Sequence, residues 1–293
     1  MKPRWPSRLG HRLGKLSNGF SWGEYRSFLF RKYSRSVAST YFSYSKSFHE
    51  LLLSGDLSRL RLLSDEKRLH AMKALSCFSK YLGIYSFFKD LVKSYDLKWS
   101  SGNSDLVIIR RLLRSRSDDD IRDWISTVKR KVPRLSTFID FMVATGLRKN
   151  ESLNSYNLII DLSRRNRLEE YYLDQTLEHF KFHQIFLRPT KKAFISFVHE
   201  EMIDNIVDSE KLTDSIINKL LQRRRIKLRF ADIREYWASV MTKHLSVAEI
   251  DFLQGRVSSN VFMTNYFNPL LIKDLKTRTL KGIRDLLNLE VSN

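Results

Sequence analysis

Four short stretches of the chain hold residue types that can bind oxyanions or act as nucleophiles. Arg148 stands just past one predicted helix end, Arg234 lies in the first turn of a predicted helix, and Arg256 follows another helix end. The fourth stretch is a short predicted helix that ends in Tyr266. A guanidinium group matches the oxygens of a phosphate or carboxylate, and a tyrosine hydroxyl can serve as a nucleophile. Each residue taken singly is more typical of packing or surface charge, so their order along the chain carries the signal.

That order and spacing resemble the tyrosine recombinase, or phage integrase, family. Its catalytic half has Thr-Gly-Leu-Arg-x-x-Glu, a hairpin lysine, His-x-x-Arg, Leu-Gly-His and then a tyrosine. Here Thr145 to Glu151 read Thr-Gly-Leu-Arg-Lys-Asn-Glu, and the later motifs follow in order. The resemblance runs from Ser117 to about Leu289, whereas residues 37–114 match the family's core-binding domain only in size and pattern. The Gln-Gly-Arg motif and the Lys-Lys-Ala-Phe-Ile-Ser hairpin look most like archaeal virus and plasmid integrases.

The resemblance implies a role for each matched residue. The catalytic set would be Arg148, Lys191, Arg234, Arg256 and Tyr266, with Glu151, Lys192 and Asp232 as supporting residues. In the family the two motif arginines hold the non-bridging oxygens of a scissile DNA phosphate, and the glutamate supports the first of them. The hairpin lysine, Lys191 or alternatively Lys192, protonates the departing 5′ oxygen. The tyrosine attacks the phosphorus and forms a 3′-phosphotyrosine, and no metal or cofactor is implied.

Two positions depart from the family pattern. Ala231 stands where the family has the first histidine, and Arg256 replaces the histidine of Leu-Gly-His. Arginine keeps a donor to a phosphate but cannot act as a base near neutral pH. The interval from Arg256 to Tyr266 is also one residue longer than in typical bacterial members. A catalytically impaired, sequence-specific DNA-binding protein on the same fold is therefore the alternative to a recombinase.

Other side chains allow a metal hypothesis. Asp118–Asp120 could bind a catalytic metal in a metal-dependent nuclease, but Ser117 also fits a helix N-cap, where the helix dipole favours acidic residues in the first turn. His179 and His183 lie four residues apart, with no further ligands nearby in the sequence. We expect no metal site from either group.

The charge and composition limit the class of protein. Lysine and arginine total 52 against 32 acidic residues, and the net charge of +20 indicates a polyanionic partner such as nucleic acid. The single cysteine, Cys77, excludes a disulfide framework and a thiolate zinc cluster. No apolar stretch approaches the ~20 residues that span a bilayer. The ten glycines form no Gly-x-Gly pair and no Walker motif, which excludes a dinucleotide fingerprint and a phosphate-binding loop.

Residues 1–35 carry nine basic residues and one acidic residue. They fit a solvated flexible arm, an arm that contacts DNA or an Arg-rich targeting peptide, and we predict a basic N-terminal arm. Residues 36–114 have helical periods and correspond to a helical core-binding domain. Its candidate DNA-binding residues are Lys46, Arg59, Lys73 and Lys80.

Residues 117–293 correspond to the catalytic domain. Alternation predicts a β-hairpin from Gln184–Arg188 and Lys192–Val198, with lysines at its tip. An apolar helical stripe after residue 279 predicts a C-terminal helix that packs on its own domain or on a neighbouring protomer. The expected fold is mainly α with a small β-hairpin or sheet, in which a helical core-binding domain precedes a tyrosine-recombinase catalytic domain.

The sequence therefore predicts a metal-independent, site-specific DNA recombinase or integrase. Its expected partners are double-stranded DNA attachment sites and further copies of itself, as a dimer or tetramer on DNA. No membrane and no small-molecule cofactor are expected. We expect the protein to act in the cytoplasm of a host cell, on viral or plasmid DNA.

Overall fold

A computed structural model describes residues 20–99, 109, 118–188, 191–256 and 274–287. The chain divides into two compact units, residues 1–115 and 116–293. Helices dominate, and the strands are few, short and antiparallel, which confirms the mainly α fold class. Within the described ranges no helix is long and apolar enough to cross a bilayer.

The described part of the first unit is built from helices around an aromatic core. The helices are α1 (Trp22–Lys32), α2 (Arg35–Phe48), α3 (Glu50–Ser54), α4 (Ser58–Arg61), α5 (Asp65–Tyr81) and α6 (Tyr85–Ser94). α5 is the central helix, because Met72, Leu75 and Phe78 are fully buried along it. Gly55, with φ 71°, ends α3 in the left-handed conformation that favours glycine.

The predicted N-terminal arm ends well before residue 35. α1 begins at Trp22, and its Tyr25 and Leu29 are fully buried. The Trp22 ring stacks on Phe78, with 5.4 Å between the ring centroids. Residues 20–35 therefore belong to the helical unit. Helix α1 buries its apolar side chains in the core, while its basic side chains stay exposed to solvent. Residues 1–19 of the predicted arm lie outside the described residues.

The second unit contains the remaining helices. They are α7 (Asp118–Lys131), α8 (Ser136–Thr145), α9 (Lys149–Ser163), α10 (His183–Phe186), α11 (Glu200–Val207), α12 (Asp214–Arg223), α13 (Phe230–Met241), α14 (Val247–Leu253) and α15 (Leu275–Leu287). α8 lies at the centre, since Phe138, Phe141 and Met142 are fully buried and the helix contacts α9, α13 and α15. α15 packs on its own unit through Leu280, Ile283 and Leu286.

Two small antiparallel sheets lie in the second unit. The strands are β1 (Tyr172–Leu173), β2 (Thr176–Leu177), β3 (Leu187–Arg188), β4 (Lys191–Lys192) and β5 (Ser196–Phe197). One sheet has the order β1-β2-β5, and the other pairs β3 with β4. Asp174 and Gln175 both have positive φ and form a tight turn between β1 and β2, a hairpin that sequence analysis missed.

The predicted hairpin exists but is much shorter than expected. Leu187 pairs with Lys192 and Arg188 with Lys191, whereas Gln184 lies in helix α10 and β5 pairs with β2. The reason is a helical spacing that competes with the alternation. Phe182 and Phe186 are four residues apart, and both rings pack against Tyr171, at centroid distances of 5.2 and 6.0 Å.

A buried polar network connects the sheet to α9. The fully buried His179 ring bonds the Tyr171 hydroxyl through Nδ1 at 2.6 Å and the Ser196 hydroxyl through Nε2 at 2.8 Å. The Tyr171 hydroxyl also donates to Ser155 Oγ on α9, at 2.8 Å. Burial lowers the pKa of His179 to about 3 from its ordinary 6.5. The imidazole is therefore neutral in the folded unit and serves structure rather than metal binding.

This network predicts that the second unit loses stability in mild acid. The unfolded chain binds a proton at His179 below about pH 6.5, and the folded chain does so only near pH 3. The stabilisation is thus complete above pH 6.5 and falls by about 1.4 kcal/mol by pH 5.5. Hydrogen exchange of α9 amides, corrected for intrinsic rates, measures it. The His179→Gln variant should be less stable than the native chain at pH 7.5, and its free energy of unfolding should change less with pH. The His183→Gln variant is the control, because His183 is exposed, and its stability should vary with pH as in the native chain. An unchanged pH slope in His179→Gln would contradict this account.

Candidate active site

The turn that carries Arg148 is set by one glycine and one tryptophan. Gly146 ends α8 with φ 59°, and a Cβ there would lie 2.4 Å from the Trp237 ring of α13. The Trp237 indole also donates to the carbonyl of Ala144 at 3.0 Å. Only glycine combines the left-handed conformation with this close approach. The end of α8 and the start of α9 are therefore held against α13.

Glu151 fixes the Arg148 side chain. Its carboxylate accepts from the Arg148 backbone N–H at 3.2 Å and from the Arg148 guanidinium at 2.9 Å. The Glu151 side chain is 2% exposed and that of Arg148 is 28% exposed. Arg188, on β3, lies 3.9 Å from the same carboxylate. One buried acid thus lies next to two arginines, which come from different elements.

Arg234 connects the two other arginine-bearing turns. Its buried guanidinium donates to the carbonyl of Gly146 at 2.9 Å and to the carbonyl of Gln254. The Gln254 side chain, also buried, donates back to the Arg234 carbonyl at 3.0 Å. The two acceptors stand two residues before Arg148 and Arg256, respectively.

The electrostatics show that the three guanidinium groups lie near one another. Burial, and next the positive charges of Arg148 and Arg256, lower the pKa of Arg234 to about 9. Glu151 and Asp251 oppose this shift but do not cancel it. The site therefore holds an excess of positive charge around a buried cation. A bound anion such as a phosphate would relieve that repulsion.

Arg256 follows a second glycine turn. Gly255 has φ 61°, and a Cβ there would lie 1.5 Å from the carbonyl oxygen of Lys192. The backbone of β4 thus packs directly on the turn, and the Phe194 and Phe252 rings stack beside it at 5.7 Å. Arg256 itself is 45% exposed, with a long ion pair of 3.6 Å to Asp251.

The hairpin brings both candidate lysines to this turn. Lys191 is exposed opposite Arg188, and Lys192 is partly buried where its backbone meets Gly255. The sequence-predicted residues Arg148, Glu151, Arg234 and Arg256, together with the lysine hairpin, therefore converge in the second unit. Tyr266 lies outside the described residues, and the catalytic roles of all these residues stay predictions.

Asp232, predicted as a supporting residue, bonds an arginine outside the predicted catalytic set. Its carboxylate accepts from Arg229 at 2.7 Å, and Arg229 also bonds both carboxylate oxygens of Asp120, at 2.9 and 2.8 Å. Asp232 and Asp120 thus share one arginine that connects α13 to α7. Among the described residues no cluster of three His, Cys, Asp or Glu side chains could hold a metal. The side chains of Asp118 and Asp119 are not among them.

Sequence reasoning missed several residues of this site. Arg188 could have been found from the hairpin register, which places it opposite Lys191. Gln254 and Trp237 have no local signal, because their bonds to Arg234 and Ala144 span 20 and 93 residues. Lys149, next to Arg148, bonds Asn218 at 2.8 Å and Asp214 at 2.6 Å, and so connects α9 to α12.

The candidate DNA-binding residues lie in the first unit. Lys46, Arg59, Lys73 and Lys80 are all exposed. Lys73 and Lys80 are seven residues apart on α5, so they share one face of a helix that is otherwise mostly buried. Such a stripe suits phosphate contact, and DNA binding by these four residues stays a prediction.

The second unit matches a known protein family. A family profile described as archaeal phage integrase matches residues 114–279, which is more than half of the chain. The matched range contains both glycine turns, the hairpin and the three arginines described above. No curated protein matches the chain at a significant level.

The contact between Gly255 and Lys192 predicts a specific effect of Gly255→Ala. The added Cβ meets backbone, and the left-handed conformation is also strained for alanine, so β4 must move away from the turn. We expect a loss of stability of about 1–3 kcal/mol and faster exchange of the Ala193 amide, which bonds the Phe186 carbonyl. Gly23→Ala in α1 is the matched control, because its Cβ would have no neighbour closer than 3.9 Å. Native exchange rates at Ala193 in Gly255→Ala would refute the packing argument.

Proposed function

We propose, on the premise that this chain belongs to the archaeal phage integrase family, that it recombines DNA at specific sites through a 3′-phosphotyrosine intermediate. Membership in the family supports a role in site-specific integration or recombination and implies DNA binding. The observation that carries the proposed chemistry is the convergence of three arginines, two of them on turns that Arg234 connects.

Phosphoryl transfer needs what this arrangement can supply. Negative charge in the transition state spreads over the oxygens of the phosphate, and fixed guanidinium donors stabilise it best when they need not reorganise. Backbone carbonyls hold Arg234, and Glu151 holds Arg148, so both donors are preorganised. Arg256 is more exposed and can adjust to the ligand.

In the proposed first step the Tyr266 hydroxyl oxygen attacks the phosphorus and gives its proton to a water molecule. The bond from phosphorus to the 5′ oxygen breaks, and Lys191, with Lys192 as the alternative, protonates the departing oxygen. In the second step a 5′ hydroxyl attacks the phosphotyrosine and releases Tyr266. The phosphodiester energy is stored in the covalent intermediate, so religation needs no external energy source.

We further propose that the protein works as a dimer or tetramer on paired attachment sites, in the cytoplasm of the host cell. Exchange of strands between two duplexes needs at least two active sites, and closed symmetric assemblies are the common way to supply them.

A second candidate function rests on Ala231. This residue lies in the first turn of α13, where the resemblance would place a histidine, and a methyl group can neither donate nor accept a proton. A DNA-binding protein without cleavage activity follows if the three arginines and the lysine do not compensate.

The proposed chemistry predicts a covalent adduct. The protein is incubated with a pool of nicked duplexes that contain a randomised segment, with a metal chelator present, and then denatured. DNA that stays attached identifies the attachment site, and peptide mapping locates the linkage. We expect attachment at Tyr266, free 5′ hydroxyl ends and no adduct with Tyr266→Phe. Tyr85→Phe in the first unit should form the adduct normally.

DNA binding without any adduct would favour the second candidate function, and a requirement for added metal would refute the proposed chemistry.

The structure predicts that two of the arginines can be distinguished by mutation. Arg256→Ala should slow adduct formation by roughly 10²–10³ without lowering Tm, because its side chain is exposed and weakly paired. Arg148→Ala should lower both rate and Tm, since it removes the closest partner of the buried Glu151 carboxylate. Arg134→Ala, which breaks an exposed pair with Glu210, is the control and should change neither. Equal loss of Tm in the Arg256 and Arg148 variants would contradict the assignment.

A further inference from the structure

A dense basic segment lies in the second unit, outside the site described above. From Ser215 to Ala231 the sequence has six basic residues and no acidic residue. Five of them, Lys219, Arg223, Arg224, Arg225 and Lys227, are exposed. Within the described residues, the sixth, Arg229, is the one that forms ion pairs. Lys219 and Arg223 are four apart on α12, a like-charge spacing that destabilises a helix.

The end of α12 also breaks a backbone preference. Arg225 has φ 54°, with its N–H bonded to the Gln222 carbonyl at 3.0 Å and the next N–H bonded to the Leu221 carbonyl at 2.9 Å. These two bonds define a Schellman motif with Arg225 at C′, a position that glycine or asparagine normally occupies. A side chain with a Cβ is strained there, and arginine lacks the short polar group that helps asparagine and aspartate.

Other helix ends in the same chain show the normal choice. The described helices that end with the same pair of bonds have Gly83, Gly255, Asn166 or Asp96 at this position, with φ between 45° and 70°. Arg225 is the exception among them. The chain keeps a strained backbone at the end of α12 and avoids it at the other helix ends of this type. Such retained strain indicates that the Arg225 side chain has a function.

The basic segment is held rigidly. Ile226 packs against the core, and the Trp124 indole donates to the carbonyl of Lys227 at 2.8 Å. Two residues later, the Arg229 guanidinium bonds Asp120 and Asp232. A flexible loop would lose conformational entropy on binding a ligand. The backbone of this segment is already held in place, so less entropy is lost when its basic side chains bind.

The segment lies beside the arginine site. The Lys149 side chain contacts two residues of this segment, Asn218 near its start and the Phe230 ring near its end, the latter at 4.8 Å from the ring centroid. Lys149 follows Arg148 directly, and Arg223 is five residues beyond Asn218, which is about 7.5 Å along a helix. Arg223–Lys227, here called the arginine loop, therefore lies in the chain between the two residues that Lys149 contacts.

We propose that the arginine loop binds phosphates of duplex DNA that flank the reacting phosphate. A duplex carries a phosphate about every 3.4 Å along each strand on both sides of the reacting phosphate, so it offers further phosphates to cations that lie near Arg148. The loop supplies affinity and not sequence recognition, because phosphate contacts are the same for every base pair. This inference rests on the proposed action on DNA, and it is independent of the tyrosine mechanism.

The test uses Arg225→Gly, which removes the charge and the strain together. Binding of the full chain to a 40-base-pair duplex of arbitrary sequence is measured by fluorescence anisotropy between 50 and 300 mM salt. We expect affinity to fall by about five-fold at 150 mM salt, and the slope of log K against log salt to decrease by about 0.9. In the same variant Tm should rise by about 1–3 °C, since glycine fits the left-handed position.

Two matched controls lie at the end of α9. Asn166→Gly makes the same backbone change at the equivalent position, φ 53°, without altering charge. Arg165→Ala removes an exposed arginine just past the end of α9, whose 15 residues span about 22 Å from the end that carries Arg148. Neither should change affinity or salt slope. The triple variant R223Q/R224Q/R225G should weaken binding by about 100-fold at 150 mM salt.

Each result separates the loop from the proposed function. Native affinity and slope in the triple variant, with normal DNA binding by the unaltered chain, would overturn the loop proposal alone. The same holds for a lower Tm in Arg225→Gly, because Arg225 would then be stabilising the fold. Failure of the unaltered chain to bind the duplex would instead remove the proposed function.

Discussion

The candidate site depends on one buried guanidinium group that holds two distant turns together. Arg234 donates to the carbonyls of Gly146 and Gln254, and each of these residues precedes another arginine of the site by two positions. Guanidinium carries five N–H donors in a fixed plane, so Arg234 can bond both carbonyls and still present donors to a ligand. The same residue is therefore both the structural connection and a candidate ligand-binding group.

The surrounding packing makes this connection possible because each turn has a glycine, with no side chain of its own, at the point of contact. At Gly146 the space of a Cβ is taken by the Trp237 ring, and at Gly255 it is taken by the Lys192 carbonyl. The two glycines thus allow α13 and β4 to reach the turns that carry Arg148 and Arg256. The helix ends are placed by van der Waals contact, and hydrogen bonds then fix their orientation.

Local sequence rules predicted the parts of this site that depend on local interactions. The turns at Gly146 and Gly255 follow from helix-ending preferences, whereas the support of Arg148 by Glu151 was expected from the family resemblance. The start of α7 at Asp118 follows from the dipole preference of acidic residues. Long-range contacts were beyond such rules. Nothing near Gln254 in the sequence indicates its bonds to Arg234, which pack two helices together.

The hairpin shows how two local signals can compete. Residues 184–188 alternate in a way that predicts a strand, but Phe186 also continues a helical spacing from Phe182 toward the Tyr171 ring. Burial of the aromatic rings decided the outcome, so only Leu187 and Arg188 remain in the strand. In the shorter hairpin Lys191 lies opposite Arg188, so the second strand begins one residue earlier than the predicted start at Lys192.

Positive charge serves two different physical purposes in the second unit. Arg148 and Arg234 are held by a carboxylate and by carbonyls, and burial together with the repulsion from Arg148 and Arg256 lowers the pKa of Arg234. Fixing like charges together costs stability, and a bound anion returns that free energy, so the cost favours the liganded state. Arg225 also adds an unfavourable free energy to the fold, because its backbone is strained. Its charge has no acidic partner among the described residues. In both places the unliganded fold retains unfavourable energy that a polyanion can offset, and this links its stability to its binding.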